Sequence, residues 1–76
     1  MGDLEPHRVH CHLDDLLERQ EMTLVDLAGA VGITVANLSI LKNDRAKAIR
    51  FTTLTAICDV LACAPGDLFS VQPASV

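Results

Sequence analysis

Residues 23–43 read TLVDLAGAVGITVANLSILKN, and this stretch decides the fold. Its first half carries apolar residues at helical spacing, which mark the buried stripe of a helix: Leu24, Leu27, Ala28 and Val31. Thr23, with Asp26 three residues later, is typical of a capped helix start, because both side chains are able to accept backbone N–H groups. Gly32 is typical of the residue that ends a helix. The first half therefore predicts a helix between Thr23 and Gly32.

The second half predicts another helix after a very short connection. Thr34 is a candidate N-cap, Leu38 and Leu41 face inward, and Asn43 lies near the end. Only residues 32–34 separate the two helices, and they combine a glycine able to take a positive φ with an apolar residue able to fill the corner. A tight turn of this kind between two short helices is the signature of a helix-turn-helix.

The flanking segments predict further helices around this pair. Leucines at helical spacing mark a first helix over residues 13–20: Leu13, Leu16 and Leu17. A fourth helix begins at Thr52 or Thr53, and its inward-facing residues are Leu54, Ile57, Cys58 and Leu61. A final single turn begins at Pro65, which is favoured at the first position of a helix, and ends by Phe69.

This pattern predicts an all-α fold, a compact bundle of four or five helices that contains the helix-turn-helix. We assign the helical domain to residues 13–69. Residues 1–12 form an N-terminal segment, which is extended where Val9 and Cys11 alternate with histidines. Residues 70–76 form a C-terminal tail without a pattern.

The composition fits one small domain with an aliphatic core. The chain has 76 residues, 50% of them apolar, and its two aromatic residues are both Phe. No apolar run approaches the ~18 residues of a membrane helix, and the first residues lack the basic start of a signal peptide. We therefore expect a cytoplasmic protein. Cys11, Cys58 and Cys63 are interpreted as reduced core residues, because their spacing fits no common zinc motif.

The net charge of −4 argues against nucleic acid as a partner, but the charge is unevenly distributed. Six of the ten acidic residues precede Met22. Four of the six basic residues lie within residues 42–50: Lys42, Arg45, Lys47 and Arg50. Affinity for DNA depends on the charge near the phosphates, so this segment is a candidate contact. A solvated loop that happens to be basic is the alternative.

Several short motifs, in their order and spacing, cover most of the chain: TLVDLA (23–28), VGIT (31–34), NLS (37–39), LKN (41–43), FTTL (51–54), AIC (56–58), and Cys63 with PGDL (65–68). In these motifs the chain resembles the Cro/CI-type (XRE-like) helix-turn-helix regulators, above all their small stand-alone bacterial subgroup. The resemblance implies a lambda-repressor-like DNA-binding domain and a role in the regulation of transcription.

The resemblance also implies which residues bind DNA, because in this family the helix after the tight turn enters the major groove. Carried over to residues 35–42 and their cap, the base-reading candidates are Thr34, Val35, Ala36, Asn37 and Ser39. The candidate phosphate contacts are Lys42, Asn43, Arg45, Lys47 and Arg50, with N–H groups at the helix starts capped by Thr23 and Thr34. An asparagine is able to pair with adenine, and apolar side chains are able to contact thymine methyl groups.

Two features favour a different function, that of a protein-interaction module on the same fold. Ile40 stands where the family usually has a basic residue, and Asp44 stands where it usually has glycine. The first removes a positive charge, and the second places a negative charge near the phosphates. For the DNA-binding function we expect a homodimer on double-stranded DNA, because a single domain covers one half-site.

No catalytic site, metal or other cofactor is predicted. His10 and His12 share one face of the extended segment, a geometry that is able to hold zinc or nickel. Two imidazoles seldom complete a metal site, so solvent-facing histidines are the favoured interpretation, and a metal- or thiol-responsive regulator is the third alternative. The sequence has no catalytic motif, such as a glycine-rich phosphate loop or H-E-x-x-H.

Overall fold

The computed structural model describes residues 7–73, which form a mostly helical domain with a two-stranded sheet. The elements in chain order are β1 (Val9–Cys11), α1 (Leu13–Arg19), α2 (Leu24–Val31), α3 (Val35–Lys42), α4 (Phe51–Leu61), α5 (Pro65–Leu68) and β2 (Phe69–Val71). The parts of the expected N-terminal segment and tail at 1–6 and 74–76 lie outside the described residues. Among residues 7–73, no single helix is long and apolar enough to cross a membrane; α2 and α3 pass that test only together, as a pair bent by 116°.

The sheet departs from the predicted all-α fold. Strand β1 lies where the alternation indicates an extended chain, but its antiparallel partner β2 covers residues 69–71, where we expected the end of a helical turn and the start of a patternless tail. Val9 lies opposite Val71 and Cys11 opposite Phe69. The alternation at β1 extends over residues 9–13, whereas the three residues of β2 are too few to establish a period of two, and the hydrogen-bonding partner of β2 lies at the other end of the chain. The sequence pattern could not indicate this pairing.

The core draws on every helix and on β1. Its fully buried large side chains are Leu13, Leu27, Leu38, Ile57, Leu61 and Leu68. Burying one such side chain stabilises a protein by about 1.5–3 kcal/mol. Helix α2 packs against both α3 and α4. Because Leu38 and Leu41 anchor α3 in this core, the opposite side of α3 is directed to solvent.

Four helices end in the same way, with one residue at positive φ followed by a backbone hydrogen bond that closes a six-residue loop. The residues at positive φ are Glu21, Gly32, Asp44 and Ala62. The N–H groups of the next residues, Met22, Ile33, Arg45 and Cys63, donate to carbonyls five positions earlier at 3.0–3.1 Å. This is the Schellman motif. The sequence analysis predicted a helix end of this kind only at Gly32, because the three other positions lack the glycine that usually marks it.

The predicted start of α4 was one or two residues late. The helix begins at Phe51, with Arg50 as its N-cap residue. Phe51 is 83% exposed, so it adds nothing to the buried stripe from which the helix was predicted. The burial pattern therefore could not mark the first residue of this helix.

Candidate nucleic-acid interface

The turn between α2 and α3 has the geometry of a helix-turn-helix. Gly32 adopts φ 84° and ψ 30°, and its N–H donates to the carbonyl of Ala28 at 2.9 Å. Ile33 is half-buried and packs against the core. The two helices meet at a bend of 116°, within the ~90–120° of this motif. The turn thus presents α3 across α2, with the start of α3 at the surface.

Both predicted helix caps are formed, but the two helix starts differ in how well each is able to bind an anion. Thr34 Oγ1 accepts the N–H of Asn37 at 3.1 Å. At α2, Thr23 Oγ1 accepts the N–H of Asp26, whose carboxylate in turn accepts the N–H of Thr23. A carboxylate therefore occupies the start of α2, whereas the first turn of α3 holds no acidic residue. The positive end of a helix dipole favours an anion, so the start of α3 suits a phosphate better than the start of α2 does.

Helix α3 exposes a face with no charged side chain. Val35, Ala36, Asn37 and Ile40 are exposed. Ser39 is half-buried, and its hydroxyl accepts a hydrogen bond from the amide of Asn43 at 3.3 Å. Four of the five base-reading candidates, with Thr34 included, are thus exposed, and the fifth, Ser39, is half-buried.

The loop after α3 carries exposed positive charges on an anchored backbone. Arg45, Lys47 and Arg50 are exposed, and within residues 7–73 none of them forms an ion pair. Ala46 and Ile49 are partly buried and pack against the core, which holds the loop beside α3. Three cations are therefore available to a ligand at this surface.

Lys42 differs from the other predicted phosphate contacts. Its ammonium lies 3.2 Å from a carboxylate oxygen of Asp14 in α1, and its side chain is 26% exposed. The acidic residue offsets the charge of the lysine. Lys42 is thus less available to a phosphate than the cations of the loop.

Asp44 holds the loop to the N-terminal strand. Its carboxylate accepts the backbone N–H of Cys11 at 2.8 Å and contacts Nδ1 of His10 at 2.7 Å. These two hydrogen bonds, that of Cys11 first, lower the pKa of Asp44 from its ordinary value of 3.8. Asp44 also takes φ 62° at the end of α3, which suits the glycine usual there in the family. The negative charge that we interpreted as a repulsive element near phosphates therefore has structural partners of its own.

An open groove brings together residues from both predicted classes. It lies between α3 and the loop, and its lining includes Asn37, Ile40, Lys47 and Arg50. A base-reading candidate thus shares one concave surface with two phosphate-contact candidates. Thr34, Val35 and Ala36 lie outside this lining, at the exposed start of α3.

The family model of the Cro/C1-type helix-turn-helix DNA-binding domain matches residues 12–74. The chain belongs to this family. It is 54% identical over 61 residues to the uncharacterized HTH-type transcriptional regulator YozG of Bacillus subtilis (strain 168), a match that covers 80% of this chain and 73% of the relative. The crystal structure of the transcriptional regulator VanUg is similar at a TM-score of 0.75 and 30% identity, over 92% of each chain. A Cro/C1-type domain binds DNA and is not an enzyme.

Most residues that line the groove of this Cro/C1-type domain were not predicted as site residues, and Ile40 and Thr53 are two of them. Ile40 was noted only as a departure from the family pattern, yet its side chain is 45% exposed in the groove. Thr53, in the first turn of α4, also lines the groove. The signal for Ile40 was its spacing of four from Ala36, which places both on one helix face. No sequence signal pointed to Thr53, because it joins the groove only through the tertiary position of α4.

The two histidines weighed as metal ligands have protein partners in this Cro/C1-type domain. His10 contacts Asp44, and Nε2 of His12 lies 2.7 Å from the hydroxyl of Ser70. Their rings meet edge to face at 4.8 Å between centroids. Within the described part of the chain, no group of three His, Cys, Asp or Glu side chains is placed to hold a metal ion. Of the cysteines that we interpreted as core residues, only Cys11 is buried, while Cys58 and Cys63 are half-buried.

Proposed function

We propose that this protein is a sequence-specific transcriptional regulator of the cytoplasm, in which α3 enters the major groove and the loop over residues 42–50 contacts phosphates. The observation that carries the proposal is the groove shared by Asn37, Ile40, Lys47 and Arg50. Base edges and phosphates lie side by side along a duplex, so a DNA-binding surface needs both kinds of side chain next to each other. The family membership and the exposed, uncharged face of α3 agree with it.

The side chains of α3 favour apolar readout. Its exposed residues are Val35, Ala36, Asn37 and Ile40, with no arginine or lysine to pair with guanine. Thymine is the one base that presents a methyl group in the major groove. Val35, Ala36 and Ile40 contact such methyl groups in this proposal, and Asn37 pairs with adenine. We therefore expect a preference for A·T-rich half-sites.

Phosphate contacts supply most of the affinity in this proposal. Arg45, Lys47 and Arg50 are its principal cations, and the first turn of α3, capped by Thr34, adds backbone N–H groups. Three predicted contacts remain weaker candidates: Lys42, Asn43 and Thr23. An acidic residue lies next to Lys42 and another next to Thr23, and the side-chain amide of Asn43 donates a hydrogen bond to Ser39. Each phosphate neutralised adds about 0.9 to the slope of log K against log salt.

We also propose that the protein acts as a homodimer. One domain covers a single half-site, and the net charge of −4 opposes binding by a monomer. Val9 and Val71 face each other across the sheet and are 37% and 65% exposed, which makes this end of the domain a candidate contact. Sedimentation equilibrium of the protein without DNA tests the homodimer, and the variant Val71→Lys tests the contact at this end of the domain. A wild-type protein that is monomeric at micromolar concentration refutes the homodimer.

The function is tested by fluorescence anisotropy with a labelled random-sequence duplex between ~50 and 200 mM salt. The wild-type protein binds with log K falling linearly in log salt, and the triple variant Arg45→Gln/Lys47→Gln/Arg50→Gln loses most of this binding. Arg19→Gln, in the exposed part of α1, removes a charge away from the groove and leaves the slope unchanged. Circular dichroism confirms that each variant is folded.

A protein-interaction module is the second candidate, favoured by exposed apolar side chains such as Val25 at 65% and Phe51 at 83%. If folded wild-type protein does not bind DNA even at the lowest salt, the regulator proposal is refuted and the interaction module takes its place. Binding that is lost equally in Arg19→Gln would also refute the proposal, because the charge of the loop would then have no special role.

A further inference from the structure

The end of α4 brings two cysteines together. The N–H of Cys63 donates to the carbonyl of Cys58 at 3.0 Å, across Ala62 at φ 50°. In a Schellman motif, the side chains of these two positions usually contact each other. At the end of α2 the corresponding pair is Ala28 and Ile33, which both pack in or against the core. At the end of α4 the pair is two thiols.

This pair lies at the edge of the core, because Cys63 packs against the core while neither cysteine is fully buried. Both cysteines are free and half-buried, whereas Cys11 is buried. Cys63 lines an open depression together with Ala62, on the side of the domain that holds the end of α1. Burial, and then the neighbouring thiol of Cys58, raise the pKa of Cys63 to about 11. Cys63 is therefore protonated at neutral pH, has the thiol of Cys58 as its neighbour, and can be reached by a small molecule from the depression.

The number of sulfurs and the protonated state of Cys63 indicate which kind of ligand the pair is able to bind. Zinc in a structural site takes four protein ligands, and no third His, Cys, Asp or Glu side chain completes a metal site within residues 7–73. Disulfide exchange needs a thiolate, which the raised pKa of Cys63 makes scarce. A ligand that bonds two sulfurs at once and removes both protons itself fits the site best.

We propose that Cys58 and Cys63 form a two-sulfur binding site for a trivalent arsenic compound. The arsenic forms one As–S bond to each sulfur and releases two oxygen ligands. Each released hydroxide takes the proton of one thiol and leaves as water, so the reaction needs no oxidant or reductant. After the first bond forms, the second thiol is held next to the arsenic, and the second bond is intramolecular. Such a link raises affinity by about 10²–10⁴-fold over a single contact.

The test uses the full chain, reduced, with phenylarsine oxide as the probe. Native mass spectrometry is expected to show one phenylarsenic group bound to the folded wild-type protein with loss of two thiol protons. Cys58→Ser and Cys63→Ser each weaken this binding by at least about 10²-fold, since each leaves one sulfur. Cys11→Ala is the matched control and keeps the adduct, because Cys11 lies outside the pair.

A second measurement on the wild-type protein needs no variant. Millimolar glutathione, a monothiol, leaves the adduct in place, whereas the dithiol dithiothreitol removes it. The proposal is overturned if no adduct forms, if glutathione strips it, or if Cys58→Ser or Cys63→Ser binds as tightly as the wild type. The site lies outside the groove of α3, so these outcomes are independent of DNA binding.

Discussion

Replacing Ala62 by glycine is expected to stabilise the protein. Ala62 ends α4 at φ 50° and ψ 48°, in the left-handed region that side chains with a Cβ atom disfavour. Its side chain is exposed, so the replacement removes no buried contact. The hydrogen bond that closes this helix end uses the N–H of Cys63 and is kept. The change therefore acts on the backbone alone.

The magnitude follows from two opposing terms. The left-handed conformation costs a residue with a Cβ atom about 1–2 kcal/mol, and glycine avoids this cost. Glycine also gives the unfolded chain more freedom, which lowers the free energy of unfolding by about 0.4–1 kcal/mol. The net gain is about 1 kcal/mol. In a domain of this size, such a gain raises Tm by about 4–8 °C.

Urea denaturation followed by circular dichroism measures the difference, and two variants serve as controls. Gly32→Ala is expected to lose about 1 kcal/mol, and since no atom lies within 4 Å of the added Cβ, the loss is due to backbone strain. Ala56→Gly, inside α4, makes the same chemical change as Ala62→Gly and is expected to lose about 1 kcal/mol. If Ala62→Gly is no more stable than the wild type while both controls behave as expected, the strain argument at Ala62 is wrong.

Three further predictions concern the DNA-binding surface and its support. Lys47→Ala is expected to lower the slope of log K against log salt by about 0.9 per chain. Lys42→Ala is expected to lower this slope by less, because the ion pair with Asp14 already offsets the charge of Lys42. Fluorescence anisotropy at several salt concentrations measures both slopes. On a duplex obtained by in vitro selection, replacing a contacted thymine by uracil removes a methyl group and is expected to weaken wild-type binding about fourfold, which corresponds to ~0.8 kcal/mol per buried methyl group. If Ile40 makes this contact, the variant Ile40→Ala binds the thymine and uracil duplexes equally well. A fourfold ratio that persists in Ile40→Ala argues against the contact. Because the pKa of Asp44 is lower in the folded than in the unfolded protein, its carboxylate stabilises the fold above the ordinary value of 3.8 and this stability is lost as the pH falls through the folded pKa. In Asp44→Asn, the free energy of unfolding is therefore expected to fall less steeply than in the wild type as the pH is lowered through the acidic range. Parallel curves of unfolding free energy against pH for the two proteins would contradict this.

The strongest sequence predictions were those carried by local spacing. Thr23 and Thr34 cap the helices that they were expected to cap, and Gly32 makes the turn. Each of these features depends on a few neighbouring residues, so the sequence shows it directly. The membership of the Cro/C1-type family, inferred from the order of such short motifs, is confirmed by the family match over residues 12–74.

The weaker predictions concerned residues whose role depends on distant partners. The sequence showed that Lys42 and Asp44 lie within the basic segment, but not that Asp14 pairs with Lys42 or that Cys11 and His10 bind Asp44. Those partners are supplied by α1 and β1, which only the packed fold brings to the end of α3. Charge counted along a chain therefore could not show that Lys42 and Asp44 have partners within the domain.

The sequence by itself determined the helix pair, its turn, the aliphatic core and the basic loop, because helix periodicity, caps and glycine turns are set within a few residues. The tertiary structure decided the pairing of β1 with β2, the groove that Ile40 and Thr53 enter beside Lys47, and the contact between Cys58 and Cys63. Three of the four left-handed helix ends also belong to this second group. A residue without glycine's freedom adopts that conformation only when the packing and hydrogen bonds of the folded chain offset its cost of about 1–2 kcal/mol.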